Sequence, residues 1–186
     1  MKHRFRETDI EVIHGDLTEQ TTEAIVNPTN GSLAGTHGLD AWIHRKGGGE
    51  LQAACRALNH PTGEYAVGWA GPTPAGNLAT QWVIHTVAPL WQNGSKGEIL
   101  RLERCYSNSL KCAREQKIRS ISFPSIATGR NGFPLDWAAY VAFNTINRAI
   151  AAHPEAMDRI QIVVLEAADY EVVCKIGEEI VRTMIG

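Results

Sequence analysis

The chain has 186 residues, 44% of them hydrophobic and 20% charged, with a net charge of −2. This suits one full-sized α/β domain with its own core and gives no basic field for unspecific nucleic-acid binding. No apolar run approaches the ~20 residues a membrane-spanning helix needs, and Cys55, Cys105, Cys112 and Cys174 form neither a CxxC pair nor a metal-ligand spacing.

The basic start, Met1 to Arg6, has no apolar stretch behind it and does not read as a signal peptide. Ile10 to Ile13 is a short strand ended by His14-Gly15-Asp16. Leu17 to Glu23 reads as one or two helical turns, with Thr18 available as N-cap. Ala24 to Asn27 is a buried strand bounded by Pro28. Helices are predicted over 39–46 and 50–58, separated by Gly47-Gly48-Gly49, with a turn at 59–63. Tyr65 to Ala70 alternates like a strand, and 71–77 reads as a loop. Trp82 to Val87 is a strong strand, and Glu98 to Gln116 a long helix with Leu102, Cys105, Tyr106, Ser109 and Cys112 on one face. Ser120 to Phe123 is a strand, Leu135 to Ala152 an amphipathic helix, Arg159 to Leu165 a buried strand and Tyr170 to Met184 a closing helix. Strands alternating with helices predict a helix-flanked, largely parallel sheet. With no repeat, low-complexity tract or linker, residues 1–186 read as a single domain. Free buried thiols are the simple reading of the four cysteines, which suits a reducing cytoplasm.

In such sheets the ligand lies outside the carboxyl ends of the strands. Four loops follow predicted strands there: 15–17, 27–38, 125–132 and 165–170. The segment from Asn27 to Gly49 stands out, because a strand end, a glycine-bearing loop and a helix start together suit a phosphate or a sugar. Asp40 stands at its mouth, where a carboxylate would repel an anion unless it has a task. The loop around Ser125 to Gly132 is a second small-residue segment rich in backbone N–H groups. Two such loops suit an extended ligand with two phosphates.

An ordered series of segments resembles the macro domain family. It comprises Gly15-Asp16-Leu17-Thr18, Ala24 to Asn30, Gly38-Leu39-Asp40 with Ile43 to Gly48, Thr62-Gly63-Glu64, Val83 to Trp91, and Ser125 to Gly129 with Gly132-Phe133-Pro134. The resemblance runs from about Ile10 to the last helix. It implies a three-layer α/β/α fold with a mixed, mostly parallel central sheet, binding ADP-ribose in a cleft at the strand ends. Some members only bind it. Others hydrolyse its bond to a carboxylate side chain or deacetylate O-acetyl-ADP-ribose. The Asn30-to-Asp40 spacing and Ile43-His44-Arg45 with Gly47-Gly48 are similar to the MacroD-type hydrolases. The segment from Phe123 to Pro134 is similar to the binding domain of the macro-histone.

The resemblance gives Asp16 the adenine amino group, with an N-cap role as the alternative, and places Leu17 beside it. Asn30, a catalytic candidate together with Asp40, is similar to the asparagine that holds the proximal ribose, since an amide both donates and accepts. Asn27 is read as fixing its loop, and Gly35 and Gly38 as allowing close backbone approach. Asp40 is the catalytic candidate, orienting or deprotonating water, against the alternative of a helix N-terminal acid. Ser125, Ala127, Thr128, Gly129, Arg130, Asn131 and Gly132 resemble the second phosphate loop, with Arg130 free to point either inward or to solvent. His44 and His85 read as structural histidines, no metal or cofactor is expected, and a zinc site from His37, His44 and His85 lacks supporting spacing.

Three departures accompany the match. Thr36 and His37 stand where hydrolases carry glycines, and His37 would lie beside the ribose as an acid/base or a block. Asn131 replaces an aromatic that packs on the proximal ribose. Leu165 replaces an aromatic that stacks on adenine, a role left to Tyr170 or another ring. The expectation is a hydrolase of ADP-ribosyl esters whose partners are ADP-ribose, ADP-ribosylated proteins or O-acetyl-ADP-ribose, and not membranes or nucleic acid. The alternative is a reader of ADP-ribose without chemistry.

Overall fold

A computed structural model describes residues 1–58, 60 and 62–185, with side chains to residue 183. Asn59 and Pro61 of the turn predicted at 59–63 lie outside the described residues.

Seven strands among the described residues form one sheet: β1 (Lys2–Phe5), β2 (Thr8–His14), β3 (Ala24–Thr29), β4 (Ala70–Pro74), β5 (Trp82–Val87), β6 (Ser120–Pro124) and β7 (Arg159–Val164). Their order is β1-β2-β7-β6-β3-β5-β4. The five central strands are parallel, and the edge strands β1 and β4 pair antiparallel. Helices α1 (Gly38–Leu58), α2 (Glu98–Glu115), α3 (Leu135–Ala152) and α4 (Ala167–Ile185) flank it.

Alternating side chains divide the core into two layers. Ile25, Val83 and Val163 pack with Ile43, Leu51 and Cys55 of α1 on one face. Ala24, Val26, Ile84, Phe123, Ile160 and Ile162 pack with Leu102, Tyr106, Phe143 and Ile146 of α2 and α3 on the other. These layers are the expected three-layer α/β/α arrangement, with its mixed, mostly parallel sheet.

Several element boundaries differ from the sequence reading. The strand predicted over 65–70 is the segment before β4, while β4 itself occupies part of the predicted loop. Pro72 and Pro74 are tolerated because β4 is an edge strand, where missing ladder donors face outward. β3 likewise runs through Pro28 to Thr29, since its pairing with β6 has already stopped at Ile25. The predicted break at Gly47-Gly48-Gly49 is a kink inside α1, with Gly48 at φ 72° and ψ −163°. Residues 17–19 make a short 3₁₀ turn capped by Asp16, not Thr18; the Asp16 carboxylate accepts from the Thr18 N–H. Tyr170 belongs to α4, and β1 went unpredicted because two of its four residues face solvent.

The short β3–β6 pairing shapes the site. Only Ala24↔Ile121 and Ile25↔Ser122 are in register, so the two strands part toward their carboxyl ends. The chain order also jumps here, which is where open α/β sheets form ligand crevices.

Candidate functional site

The parting of β3 and β6 opens a cleft of about 1000 Å³, including its mouth. Ten of the sequence-predicted residues line it: Asn30, Thr36, His37, Gly38 and Asp40 from one wall, and Ser125, Ala127, Gly129, Arg130 and Asn131 from the other. Sequence reasoning missed Pro28, Thr29, Leu39 and Ala88, which complete the lining. Thr29 had a readable signal, since it lies two positions beyond Asn27 on one face of a strand.

The second wall is a backbone surface. Ala127 is left-handed at φ 68°, an uncommon conformation for a residue with a Cβ. Its carbonyl accepts from the Phe133 N–H at 3.0 Å, which closes the loop. Among the described residues, the N–H groups of Ala127, Gly129, Arg130 and Asn131 donate to no protein acceptor. A concave run of free N–H groups is an anion cradle. Thr128 and Gly132 hold its shape rather than line it: the Thr128 hydroxyl donates to the Ser125 carbonyl (3.0 Å), and Gly132 takes φ 69°. The Asn131 amide donates to the Ala88 (3.3 Å) and Pro89 (2.9 Å) carbonyls, tying this loop to the end of β5.

The first wall is organised by side chains. The Asn30 carbonyl accepts from the Ser32 N–H (3.1 Å) and hydroxyl (2.6 Å), while its NH₂ donates to the Thr36 hydroxyl at 3.2 Å. One Asn30 hydrogen is left for a ligand. Gly35 adopts φ 67° and lies against the His44 ring; a Cβ there would stand 2.3 Å from Cγ of His44. The loop therefore rests on His44, while Thr36 and His37 face the cleft.

Asp40 is 5% exposed at the cleft floor. Its Oδ1 accepts from Asn27 Nδ2 at 2.7 Å and lies 3.5 Å from His44 Nε2, and its Oδ2 accepts from the Thr29 hydroxyl at 3.1 Å. Asn27 is fully buried behind it and does not reach the cleft. Asn27 fixes Asp40 and not its own loop, because its strand side chain points to the α1 face. Burial lowers the pKa of His44, an effect the Asp40 charge partly offsets. Burial, with the His44 charge, lowers His85 to about 3, so it is neutral.

The Asp16 group forms a separate rim. Its Oδ1 caps the 3₁₀ turn, accepting from the Thr18 N–H (2.8 Å) and hydroxyl (2.6 Å). Its Oδ2 accepts from the Trp42 indole at 3.4 Å and lies 3.7 Å from Lys46. Burial pushes the Asp16 carboxyl up, but Thr18, Trp42 and the Lys46 charge together hold it below its ordinary value. The cap uses Oδ1, while Oδ2 faces Trp42 and Lys46. Leu17 is a core residue on the α1 face. Leu165 is exposed, and its carbonyl lies 3.1 Å from His14 Nε2. The Tyr170 ring packs on His14 with centroids 5.6 Å apart, and its hydroxyl accepts from the Met1 amine at 3.1 Å. Neither lines the cleft.

His44, Cys55 and His85 place ligand-type atoms within 4.8 Å of one another, while His37 lies apart at the cleft. No helix among the described residues is long and apolar enough to cross a membrane.

Comparison with known proteins gives consistent matches. A family model described as Macro domain matches residues 26–142. A protein named O-acetyl-ADP-ribose deacetylase 1 from Pantoea vagans is 40% identical over 90% of this chain and 97% of its own length. The O-acetyl-ADP-ribose deacetylase of Citrobacter koseri is 44% identical over 77% of this chain and 81% of its own. Among solved structures, an Oceanobacillus iheyensis macrodomain with ADP superposes with a TM-score of 0.93 at 34% identity, covering 98% of this chain and 97% of that one. A Trypanosoma brucei macrodomain in complex with ADP-ribose gives 0.82 at 28% identity, over 89% of this chain and 65% of that one.

Proposed function

The chain belongs to the macro domain family, and from that premise we propose that it binds ADP-ribose in the β3–β6 cleft and hydrolyses ADP-ribosyl esters, O-acetyl-ADP-ribose foremost. The observation that carries this reading is an ordered carboxylate at the floor of an N–H-lined cleft. A carboxylate offers about four lone-pair directions. In Asp40, Asn27 occupies one on Oδ1 and Thr29 one on Oδ2, with His44 3.5 Å from Oδ1, which leaves a lone pair on Oδ2 for a water.

The diphosphate lies on the N–H groups of Ala127, Gly129, Arg130 and Asn131, with Ser125 beside them. Asn30 gives its remaining hydrogen to the proximal ribose, and Thr36 and His37 border that sugar. Asp16 Oδ2 takes the adenine amino group at the rim, with Leu165 and Tyr170 near the base. Asp40 orients the water that attacks the ester carbonyl carbon. The bond from that carbon to the ribose oxygen breaks, and the proton lost by the water passes to that oxygen. The products are acetate and ADP-ribose. Proteins ADP-ribosylated on Asp or Glu carry a related ester and are the second substrate class. The names of the deacetylase relatives support the first.

One continuous sheet supports reading residues 1–186 as a single macro domain. We assign it to the cytoplasm, which its four free cysteines support.

A reader without chemistry is the second reading, favoured by how little of Asp40 is exposed. One paired assay separates them. Wild type should release acetate from O-acetyl-ADP-ribose, and Asp40→Ala should lose turnover by a factor of about 10² or more while still binding ADP-ribose by calorimetry. A folded wild type that binds ADP-ribose but turns over neither ester refutes the enzyme. Absence of binding refutes both readings.

A further inference from the structure

Behind Asp40 a chain of polar side chains crosses three neighbouring strands, away from the cleft. Asn27 Nδ2 donates to Asp40 Oδ1 (2.7 Å) and also faces His85 Nδ1 at 3.1 Å. His85 Nε2 lies 2.9 Å from the Thr73 hydroxyl on β4 and 3.5 Å from Cys55 Sγ. Asn27, Thr73 and His85 are all buried, and none lines the cleft. Polar groups so deep are costly unless each has a task.

The polarity of this chain is determined at one end. Asp40 Oδ1, as a carboxylate oxygen, accepts only, so Asn27 must present its NH₂. The same NH₂ faces His85 Nδ1, which must then carry a lone pair. His85 is therefore the Nε2–H tautomer and donates to Thr73. The Asn27 carbonyl is left buried without a hydrogen-bond partner. Turning the amide over would leave the NH₂ in that place instead, and the carboxylate decides between the two. On the other side His44 Nε2 lies 3.5 Å from Asp40 Oδ1, and the His44 ring carries the Gly35 loop.

A metal on His44, Cys55 and His85 would need the opposite His85 tautomer and a thiolate. Burial, with the Asp40 charge, pushes the Cys55 thiol up to about 11, and Thr73 already occupies Nε2. The hydrogen-bond pattern suits the polar chain and not a metal.

We propose that Asn27, His85 and Thr73 act as positioning residues, a tautomer-locked chain that holds the Asp40 carboxylate toward its water, so that substitutions on β4 and β5 alter turnover without altering ligand affinity. The proposal rests on the hydrolase reading. The distinguishing prediction is a split between kcat and binding. A hydrogen bond in a chain ending on a charged group controls roughly a tenfold factor, so Thr73→Val should lower kcat about tenfold and His85→Leu further. KM and the ADP-ribose Kd should stay within about twofold. His85→Asn puts a side-chain oxygen near the position of Nδ1 and should return most of kcat.

The experiment combines these kinetics with long-range ¹H–¹⁵N NMR of the His85 ring and metal analysis of the purified protein. Wild type should show an unprotonated Nδ1, and Asp40→Asn should lose that fixed tautomer, because no charge then pins Asn27. Three results would overturn the proposal: unchanged kcat in folded Thr73→Val and His85→Leu, turnover and ADP-ribose affinity falling together, or an unchanged His85 spectrum in Asp40→Asn. Stoichiometric zinc in the wild type would overturn it as well. If wild type turns over no ester, the hydrolase reading fails, and the His85 spectra still decide whether the chain is locked.

Discussion

His85 makes stability depend on pH from 6.5 down to about 3, and the part of that window above pH 5 lies clear of ordinary carboxylate titration. Its folded value is about 3, against 6.5 for an unperturbed histidine, first because it is buried and second because of the His44 charge. Between those values the unfolded chain binds a proton that the folded chain refuses. A depressed folded value means that the stabilisation is complete above 6.5 and is lost as pH falls toward 3. At pH 5 the loss is about 1.36 kcal/mol per unit over roughly 1.5 units, or about 2 kcal/mol. His44 shifts in the same direction and adds to the slope. The assay is urea unfolding of wild type and His85→Asn from pH 7.5 to 5. The stability difference, wild type minus variant, should shrink by about 2 kcal/mol across that range. Parallel curves for the two proteins would refute the burial argument, because they would mean that His85 takes up its proton in the folded state.

Three further outcomes follow from the loops. Gly35→Ala places a Cβ 2.3 Å from the His44 ring at φ 67°, and should cost about 2–4 kcal/mol in urea unfolding. Asn131→Ala cuts the two bonds to the Ala88 and Pro89 carbonyls; calorimetry should show weaker ADP-ribose binding, and unfolding a loss of about 1–2 kcal/mol. Thr36→Ala frees the Asn30 NH₂ that the hydroxyl now orients, and should weaken ADP-ribose binding about two- to fivefold.

The parts of this fold that follow a single period were legible in the residues. Trp82–Val87 and Leu135–Ala152 appear with the predicted bounds, because one is rich in β-branched and aromatic residues and the other is an unbroken amphipathic helix. β4 was not legible: Pro72 and Pro74 signal a loop, and only its place at the sheet edge makes them harmless. At the site, loop residues declared themselves through small side chains and spacing. The support behind Asp40 did not. Asn27 and His85 are 58 positions apart and meet only because β3 and β5 pair in register. Thr73 reaches the same network through a strand that the sequence concealed. Asn131 looked like a missing aromatic, and its bonds to the β5 end show an amide joining two cleft loops, which no local pattern signals.

The acid at the anion site, odd in the sequence, has a physical resolution in the fold. An unscreened carboxylate beside a diphosphate would raise the cost of binding by direct repulsion. Asp40 instead receives an amide and a hydroxyl hydrogen bond from behind, with His44 close by, and β3 keeps those donors in place. The free N–H groups of the second loop belong to the opposite wall, after β6. The parting of β3 from β6 therefore does more than open space. It puts the acceptor-only group and the donor-only loop on separate walls of one cleft. A ligand that is anionic in its middle and carries an ester on a terminal sugar can then satisfy both at once. That division of charge is the physical basis for expecting Asp40→Ala to change turnover far more than affinity.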